Sequence, residues 1–241
     1  MIRPILFYIM FFPLTFFYSS AMGLMGFTKN AGSWGEKFGH RWTRKLAWLT
    51  GAKYEIDLSA LEPEGHYVFM LNHQSQLDIM IGYWLLWKHK VRFLAKKSLW
   101  SVPVFGWAMW GAGHIPIDRS NRRVAMKSIE NAVAIVKGGV SPIVFPEGTR
   151  SSDFSKLQEF KTGGIILALK TGLPVAPVVI SGMGDVLPKG SWKLNPKPVV
   201  RVKALAPIDT TAYTLKDRDR FRDDLYEMMN NAYIELRREA E

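Results

Sequence analysis

The chain has no cysteine, which excludes disulfides, zinc sites built from thiolates and a cysteine nucleophile. It also lacks the Gly-x-Ser-x-Gly pattern that presents a serine nucleophile in many lipid hydrolases. Residues 139–143 come closest, but isoleucine stands where the pattern needs its closing glycine. No internal repeat and no low-complexity linker occurs. These absences disfavour a metal-thiolate protein, a serine hydrolase and a repeat architecture.

Acidic residues are fewer than basic ones: the chain has 21 Asp and Glu and 32 Lys and Arg, which gives a formal charge of +11. A surface of this sign suits an anionic partner, such as nucleic acid, an acidic membrane or a phosphorylated substrate. The chain has 241 residues, of which 48% are hydrophobic and 22% are charged. That length and composition predict one sizeable folded core.

Charge is missing altogether from Pro4 to Thr28. One helix of this length would extend about 37 Å, enough to cross a hydrocarbon core of about 30 Å. Pro13 lies within the run and is expected to kink or split such a helix. The run is consistent with a cleaved signal peptide, a membrane span or an in-plane insert. A small-residue site at Ser19–Ala21 suits the first, but the apolar stretch continues beyond it.

The segment that follows has the pattern of an amphipathic helix. Its apolar positions recur every three or four residues, and its cations share a neighbouring face: Trp34, Phe38, Trp42, Leu46 and Leu49, with Lys37, Arg41 and Arg44. Such a helix can lie on anionic lipid or pack on the protein's own core. After a long apolar run we expect attachment to a membrane. Lys29 and the later cations favour a cytoplasmic face, which in a bacterium is that of the inner membrane.

Beyond Thr50, short apolar runs alternate with helical patterns. Strands are predicted at 67–71, 91–95, 114–117, 142–145, 175–180 and, near a sheet edge, 198–205. Helices are predicted near 76–88, 121–138 and 162–171, and a last amphipathic helix has the apolar stripe Phe221, Leu225, Met228, Ala232 and Leu236. This alternation predicts an α/β fold with a mostly parallel central sheet flanked by helices. Residues 1–50 would form a hydrophobic, membrane-associating helical arm and residues 51–241 the α/β domain.

The first polar cluster follows the strand predicted at 67–71. Ligands of open α/β sheets collect beyond the carboxyl ends of the strands, and here that end carries His73 and Asp78. A neutral histidine can accept a proton if an aspartate fixes its ring and tautomer. A His-x4-Asp pattern also arises by chance. Asp78 could instead complement the dipole of a helix capped by Asn72 or Ser75.

Cations and a polar turn follow three other predicted strands. Arg119 comes after 114–117, and Lys96 and Lys97 end the strand that starts at residue 91. A guanidinium at such a position can hold a phosphate bidentately, although some of these cations can simply be solvated. The turn of Glu147, Gly148, Thr149 and Arg150 offers acceptors for hydroxyl groups and a cation for phosphate, but an ordinary β-turn has the same composition.

Four motifs in this order resemble the lysophospholipid and glycerol-phosphate acyltransferase family. They are Asn72-His73-x4-Asp78, Gly113-His-Ile-Pro-Ile-Asp-Arg119, Phe145-Pro-Glu-Gly-Thr-Arg150 and the apolar, proline-containing Leu173–Val179. They extend over residues 65–180 or so, and Pro116 is the least expected residue among them. In its length and its hydrophobic arm, the chain resembles the lysophosphatidic acid acyltransferases of this family more than the larger glycerol-3-phosphate acyltransferases.

The resemblance implies an O-acyltransferase that forms phosphatidic acid from 1-acylglycerol-3-phosphate and an acyl thioester. His73 would be the general base and Asp78 its orienting partner, with no acyl-enzyme intermediate. Arg119 would hold the phosphate with Lys96 or Lys97, Glu147 and Gly148 would position the glycerol, and Thr149 and Arg150 would shape the turn or contact phosphate. Acyl-CoA or acyl-carrier protein would be the co-substrate, with no cofactor and no metal. A backbone N–H beside His73 or Gly148 is expected to stabilise the oxyanion.

Three alternatives remain at this stage. The acceptor could be another lysophospholipid or glycerol-3-phosphate. A lipid hydrolase would need a nucleophile, and Ser75 is the candidate nearest to His73. A basic module that binds a membrane or nucleic acid fits the charge, but the cations are scattered along the chain, so no nucleic-acid partner is predicted.

Overall fold

In the computed structural model, which describes residues 2–239, helices and strands alternate after two long N-terminal helices. The elements, in chain order, are α1 (Ile2–Met25), α2 (Ala31–Thr50), β1 (Lys53–Asp57), β2 (Val68–Leu71), α3 (Asp78–Leu86), β3 (Val91–Lys96), α4 (Phe105–Gly111), β4 (Ile115–Ile117), α5 (Arg122–Lys137), β5 (Ser141–Val144), α6 (Thr162–Thr171), β6 (Val175–Ser181), α7 (Met183–Val186), β7 (Val199–Ala204) and α8 (Arg218–Arg238). Short 3-10 turns occupy Trp87–His89, Lys97–Ser101 and Leu215–Asp217.

Within residues 2–239 the strands form one seven-stranded sheet in the order β1-β7-β6-β2-β5-β3-β4. Neighbouring strands are parallel except β6 and β7. Side chains alternate along β2, so Phe69 joins one buried cluster and Met70 the other. Helices α1, α2 and α3 cover the first face and α5, α6 and α8 cover the second. The predicted α/β fold with a mostly parallel sheet and flanking helices is confirmed.

The strands predicted from apolar runs correspond to β2 through β7, with ends that differ by at most one residue. Strand β1 was missed because it lies at the sheet edge, and its Lys53, Glu55 and Asp57 leave no apolar run. The predicted stripe of α8 is wrong at Met228, which is 40% exposed. Met229 and Tyr233 are buried in its place, since they continue the four-residue spacing from Phe221.

Helices α1 and α2 form an antiparallel pair. Arg3 donates to the carbonyl of Trp48 (3.2 Å), and the Trp42 indole donates to the hydroxyl of Thr15 (3.2 Å). Helix α1 runs through Pro13 without interruption, so the predicted split is wrong. Within residues 2–239, α1 is the one helix long and apolar enough to cross a membrane.

Helix α2 also packs on the core, through small residues and a buried charge pair. Gly39 lies directly against the ring of Tyr83 in α3, and Gly35 lies against Ala112. Glu36 forms an ion pair with Arg92 of β3 at 3.0 Å, and both side chains are largely buried. Separating such a pair would leave an uncompensated buried charge, so α2 is held firmly to the α/β core.

The contact at Gly39 predicts a stability difference between two glycine variants. Gly39→Ala places a methyl group inside the Tyr83 ring and should lower the free energy of unfolding by about 1–3 kcal/mol. In Gly163→Ala the new methyl group would meet Ile129 at 3.7 Å, so that variant should be neutral or slightly stabilised. Denaturant titration in detergent, followed by circular dichroism, gives both values. Equal midpoints for the two variants would contradict the close approach of α2 and α3.

Candidate active site

The loop after β2 is fixed by bonds from three side chains. Asn72 bonds the backbone of Ile180 in β6 twice: its amide donates to the carbonyl (2.8 Å) and its oxygen accepts from the N–H (2.7 Å). Gln74 donates to the hydroxyl of Tyr233 in α8 at 2.6 Å. Ser75 is buried and its hydroxyl donates to the carbonyl of Leu187 at 2.7 Å. Ser75 is therefore a structural residue, and the serine-nucleophile alternative has no support.

Asp78, the first residue of α3, is buried and receives three donors on one oxygen. Its Oδ2 lies 2.8 Å from Nδ1 of His73 and accepts from the backbone N–H groups of Gln74 (2.6 Å) and Ser75 (2.7 Å). An oxygen that already accepts two backbone bonds is suited to accept from the ring as well, so the geometry favours the tautomer with the proton on Nδ1. The Nε2 atom of His73 then carries the lone pair that can accept a proton.

A second contact sets the plane of the His73 ring. Phe145, at the end of β5, stacks on it with ring centroids 4.0 Å apart and an interplanar angle of 18°. Phe93 lies behind Phe145 in nearly the same orientation, at 6.2 Å and 12°. The stacked face and the hydrogen bond at Nδ1 together fix the orientation of the His73 ring. The sequence did not indicate this role, because Phe145 reads there as an ordinary strand residue.

Glu147 supports His73 from the backbone side. Its carboxylate is buried; Oε1 accepts from the N–H of His73 at 2.6 Å, and Oε2 accepts from the N–H and the side-chain amide of Gln158, both at 3.1 Å. Burial raises the pKa of Glu147. Both oxygens face protein donors, so the geometry favours positioning of His73 over the predicted contact with glycerol.

The turn that begins at Glu147 gathers cations at the open side of the site. Arg119 donates to the carbonyl of Gly148 at 3.1 Å, and Gly148 has the left-handed φ of 74°. A Cβ at Gly148 would contact the side chain of Lys161 at 3.3 Å and the Arg119 guanidinium at 3.6 Å. Lys161, which the sequence did not single out, therefore lies beside the same glycine as Arg119.

The remaining predicted substrate-binding residues lie around this turn or at its rim. Thr149 is exposed, and its carbonyl accepts from Gln158. The carbonyl of Arg150 accepts from Lys189 at 2.8 Å. Lys97 is exposed and pairs with Asp118 at 3.3 Å, while Lys96 is exposed at the end of β3. Their roles in binding substrate stay predictions.

The expected oxyanion donors are already occupied. The N–H of His73 donates to Glu147, and those of Gln74 and Ser75 donate to Asp78. The N–H of Gly148 donates to the carbonyl of Phe145 at 3.0 Å. These four groups bond the two carboxylates of the loop and close the turn, so none of them is free for an oxyanion in this structure. The expectation of a backbone donor beside His73 or Gly148 stays a prediction.

A family model for acyltransferases matches residues 55–181, the region that contains His73, Asp78, Arg119 and the Glu147 turn. The chain belongs to the acyltransferase family. The resemblance drawn from its four motifs is thereby confirmed.

Curated acyltransferases similar to this chain are 34–37% identical to it over the aligned residues. The 1-acyl-sn-glycerol-3-phosphate acyltransferase of Cocos nucifera is 37% identical over 203 residues, 84% of this chain and 61% of that enzyme. That of Limnanthes alba is 34% identical over 201 residues, 83% of this chain and 69% of that enzyme. That of Salmonella typhimurium is 35% identical over 178 residues, 73% of this chain and 70% of that enzyme. The chain thus spans less than two thirds of the coconut relative and somewhat more of the other two.

A solved structure of an acyltransferase has the same fold over nearly its whole length. It is the crystal structure of the 1-acyl-sn-glycerophosphate (LPA) acyltransferase PlsC from Thermotoga maritima, with a TM-score of 0.81 at 24% identity. The match covers 98% of this chain and 95% of that one. The two α1–α2 arms are part of that match, since the arm makes up far more than the uncovered fraction of this chain.

The bonds of Glu147 predict how a Gln variant of this acyltransferase will behave. In Glu147→Gln one of the two backbone donors, at His73 or Gln158, must face the new amide group. The His73 loop should shift, and kcat should fall about 10–100-fold, while KM for the acceptor stays within about twofold. Steady-state kinetics on the purified variant measure both. A large rise in KM with kcat preserved would show instead that the carboxylate binds the acceptor.

Proposed function

We propose that this protein transfers a fatty acyl group from acyl-CoA or acyl-carrier protein to the sn-2 hydroxyl of 1-acylglycerol-3-phosphate, forming phosphatidic acid. The bond between Nδ1 of His73 and Asp78 supports this most directly, because it leaves Nε2 as a base at the carboxyl end of the sheet. The relatives are enzymes named for this acceptor. The cations around Gly148 suit its phosphate.

The proposed chemistry is direct acyl transfer. Nε2 of His73 takes the proton of the acceptor hydroxyl as that oxygen attacks the thioester carbonyl. Asp78 stabilises the imidazolium that forms, and the flat contact with Phe145 adds a cation–π attraction to the charged ring. The tetrahedral intermediate collapses with loss of the thiolate, which takes the proton from His73. No acyl-enzyme and no metal is needed for these steps.

The phosphate of the acceptor is assigned to the cationic side of the Gly148 turn. Arg119 and Lys161 both lie beside this glycine, and the preceding residue, Glu147, bonds the N–H of His73. A phosphate held there lies within one short turn of the general base. The cations and the base are thus brought together at one turn, which supports a phosphorylated acceptor.

The arm is proposed to lie in the membrane plane. The outward face of α1 is apolar and exposed at Ile2, Ile5, Ile9, Phe12, Phe16, Phe17 and Leu24. Helix α2 lies antiparallel beside it and exposes Lys37, Arg41, Arg44 and Lys45. If α1 spanned the bilayer these cations would enter it, at about 2.5–3.5 kcal/mol for each one near the centre. In-plane attachment at a cytoplasmic surface instead keeps the cations at the headgroups.

The activity is tested by thiol release from oleoyl-CoA, with and without 1-acylglycerol-3-phosphate. The wild type should release thiol only with the lysolipid, and His73→Ala should lower kcat by about 10²–10⁴-fold. His66→Ala is the matched control, since His66 precedes β2, at the opposite end of that strand from His73, where its ring bonds the carbonyl of Val140, and should keep full activity. Arg119→Ala should raise KM for the acceptor by about tenfold or more, through loss of a charged hydrogen bond.

Each alternative outcome has a defined meaning in this assay. Release that does not need the lysolipid indicates hydrolysis and overturns the proposed acceptor role. If no thiol is released from oleoyl-CoA, the assay is repeated with an acyl-carrier protein as donor. Failure with both donors across lysophospholipids and glycerol-3-phosphate overturns the proposal. Full activity of His73→Ala would overturn the mechanism.

A further inference from the structure

Helix α4 presents two tryptophans to the outside of the molecule. Trp107 is 63% exposed and Trp110 is 50% exposed, and Val102, just before the helix, is exposed as well. Tryptophan side chains are large and are highly buried on average. Two of them one helical turn apart on a seven-residue helix form an apolar patch that the catalytic mechanism does not use.

This patch is continuous with the apolar face of α1. The Trp110 ring lies 5.0 Å from that of Phe27, which follows α1 and is 83% exposed. Beneath the rings, Gly23 and Gly26 leave room that any side chain would fill: a Cβ would lie 2.9 Å from Cβ of Trp107 and 2.5 Å from the Trp110 ring. Helix α4 therefore lies directly on the carboxyl-terminal part of α1.

The orientation of α4 is fixed by its ends. A Cβ on Gly111 would overlap the carbonyl of Met22, so the helix end touches the backbone of α1. Before the helix, Val104 adopts φ 64° and ψ −51°, and the N–H of Phe105 bonds the carbonyl of Pro103 at 2.7 Å. This γ-turn is strained, especially for a β-branched residue. Such strain persists where surrounding contacts impose it, so the outward direction of the tryptophans is set by the fold.

We propose that α4 is a second membrane-contacting element, in which Trp107 and Trp110, with Phe27 and Val102, enter the lipid interface beside α1. The inference rests on the proposed attachment of α1, whose exposed apolar face continues into the patch. Tryptophan prefers the headgroup boundary because its ring is apolar and its N–H is polar. Lys29, two residues after Phe27 and exposed, supplies a cation for anionic lipid at the same edge.

Contact at α4 would set the height of the catalytic site above the bilayer. A single 3-10 turn, Lys97–Ser101, and three further residues join β3 to α4. Lys96 and Lys97, at the end of β3, are thus held close to the lipid headgroups. A lysolipid could present its phosphate to the site while its acyl chain stays in the membrane. The tryptophans would then matter for acceptors that are presented in a bilayer.

The absence of cysteine permits a depth measurement at single sites. Trp107→Cys and Trp110→Cys, each labelled with an environment-sensitive fluorophore, are bound to vesicles of phosphatidylcholine and phosphatidylglycerol. Phe16→Cys in α1 serves as the positive control. Ile135→Cys, 43% exposed on α5 over the opposite face of the sheet, serves as the negative control. Labels at 107, 110 and 16 should be quenched by spin-labelled lipid, and the label at 135 should be quenched only by aqueous iodide.

Two results would overturn the proposal while leaving α1 and the catalytic function intact. The labels at 107 and 110 could remain open to iodide while the label at 16 is quenched by lipid. They could also be shielded from both quenchers, which would indicate a protein surface in place of lipid.

A kinetic comparison tests the consequence for the acceptor. The double variant Trp107→Ser/Trp110→Ser should raise the apparent KM for vesicle-bound lysophosphatidic acid by about tenfold, and kcat/KM for a short-chain, water-soluble acceptor should be unchanged. The matched double variant Ile135→Ser/Met228→Ser removes two exposed apolar side chains from the other face and should change neither value. Equal effects of the two double variants on the vesicle-bound acceptor would contradict a role for α4.

Discussion

One oxygen atom, Oδ2 of Asp78, organises the catalytic end of the molecule. It is buried at the start of α3, where it accepts from the ring of His73 and from the backbone N–H groups of Gln74 and Ser75. A buried carboxylate without donors would be far too costly to keep charged. The tight loop between His73 and Asp78 supplies the donors. The bonds that stabilise the buried charge of Asp78 therefore include the one at Nδ1 that sets the tautomer of His73.

A second buried carboxylate, Glu147, completes this arrangement from the neighbouring strand. It takes the N–H of His73, and its pKa is raised by burial and, to a smaller degree, by the nearby charge of Asp78. Two like charges in one interior destabilise each other, and hydrogen bonds to Oδ2 of Asp78 and to both oxygens of Glu147 offset that cost. Gln158 and the His73 loop provide those bonds. Arg119 and Lys161 lie beside Gly148 and are exposed, whereas the carboxylates of Asp78 and Glu147 are buried.

Apolar runs in the sequence were sufficient to predict the six strands from β2 to β7 and the mostly parallel sheet. Strand β1 could not be found in this way, because an edge strand with alternating charges buries little. The pairing of His73 with Asp78 could be predicted, because both residues follow the end of a predicted strand. The stacking of Phe145 and the hydrogen bonds of Glu147 were not, because each depends on contacts between residues more than seventy positions apart. The packing of α2 against α3 depends in the same way on Gly39 meeting Tyr83, which no local pattern reveals.

In the proposed mechanism Asp78 holds neutral His73 with its proton on Nδ1 and its lone pair on Nε2. Nitrogen-15 NMR of histidine-labelled protein measures this directly, with the His73 signals assigned by comparison with a His73→Gln variant. At a pH where the ring is neutral, we expect Nδ1 to show the shift of a protonated nitrogen and Nε2 that of an unprotonated one. In Asp78→Asn this preference should be lost. A wild-type His73 with its proton on Nε2 would contradict the account.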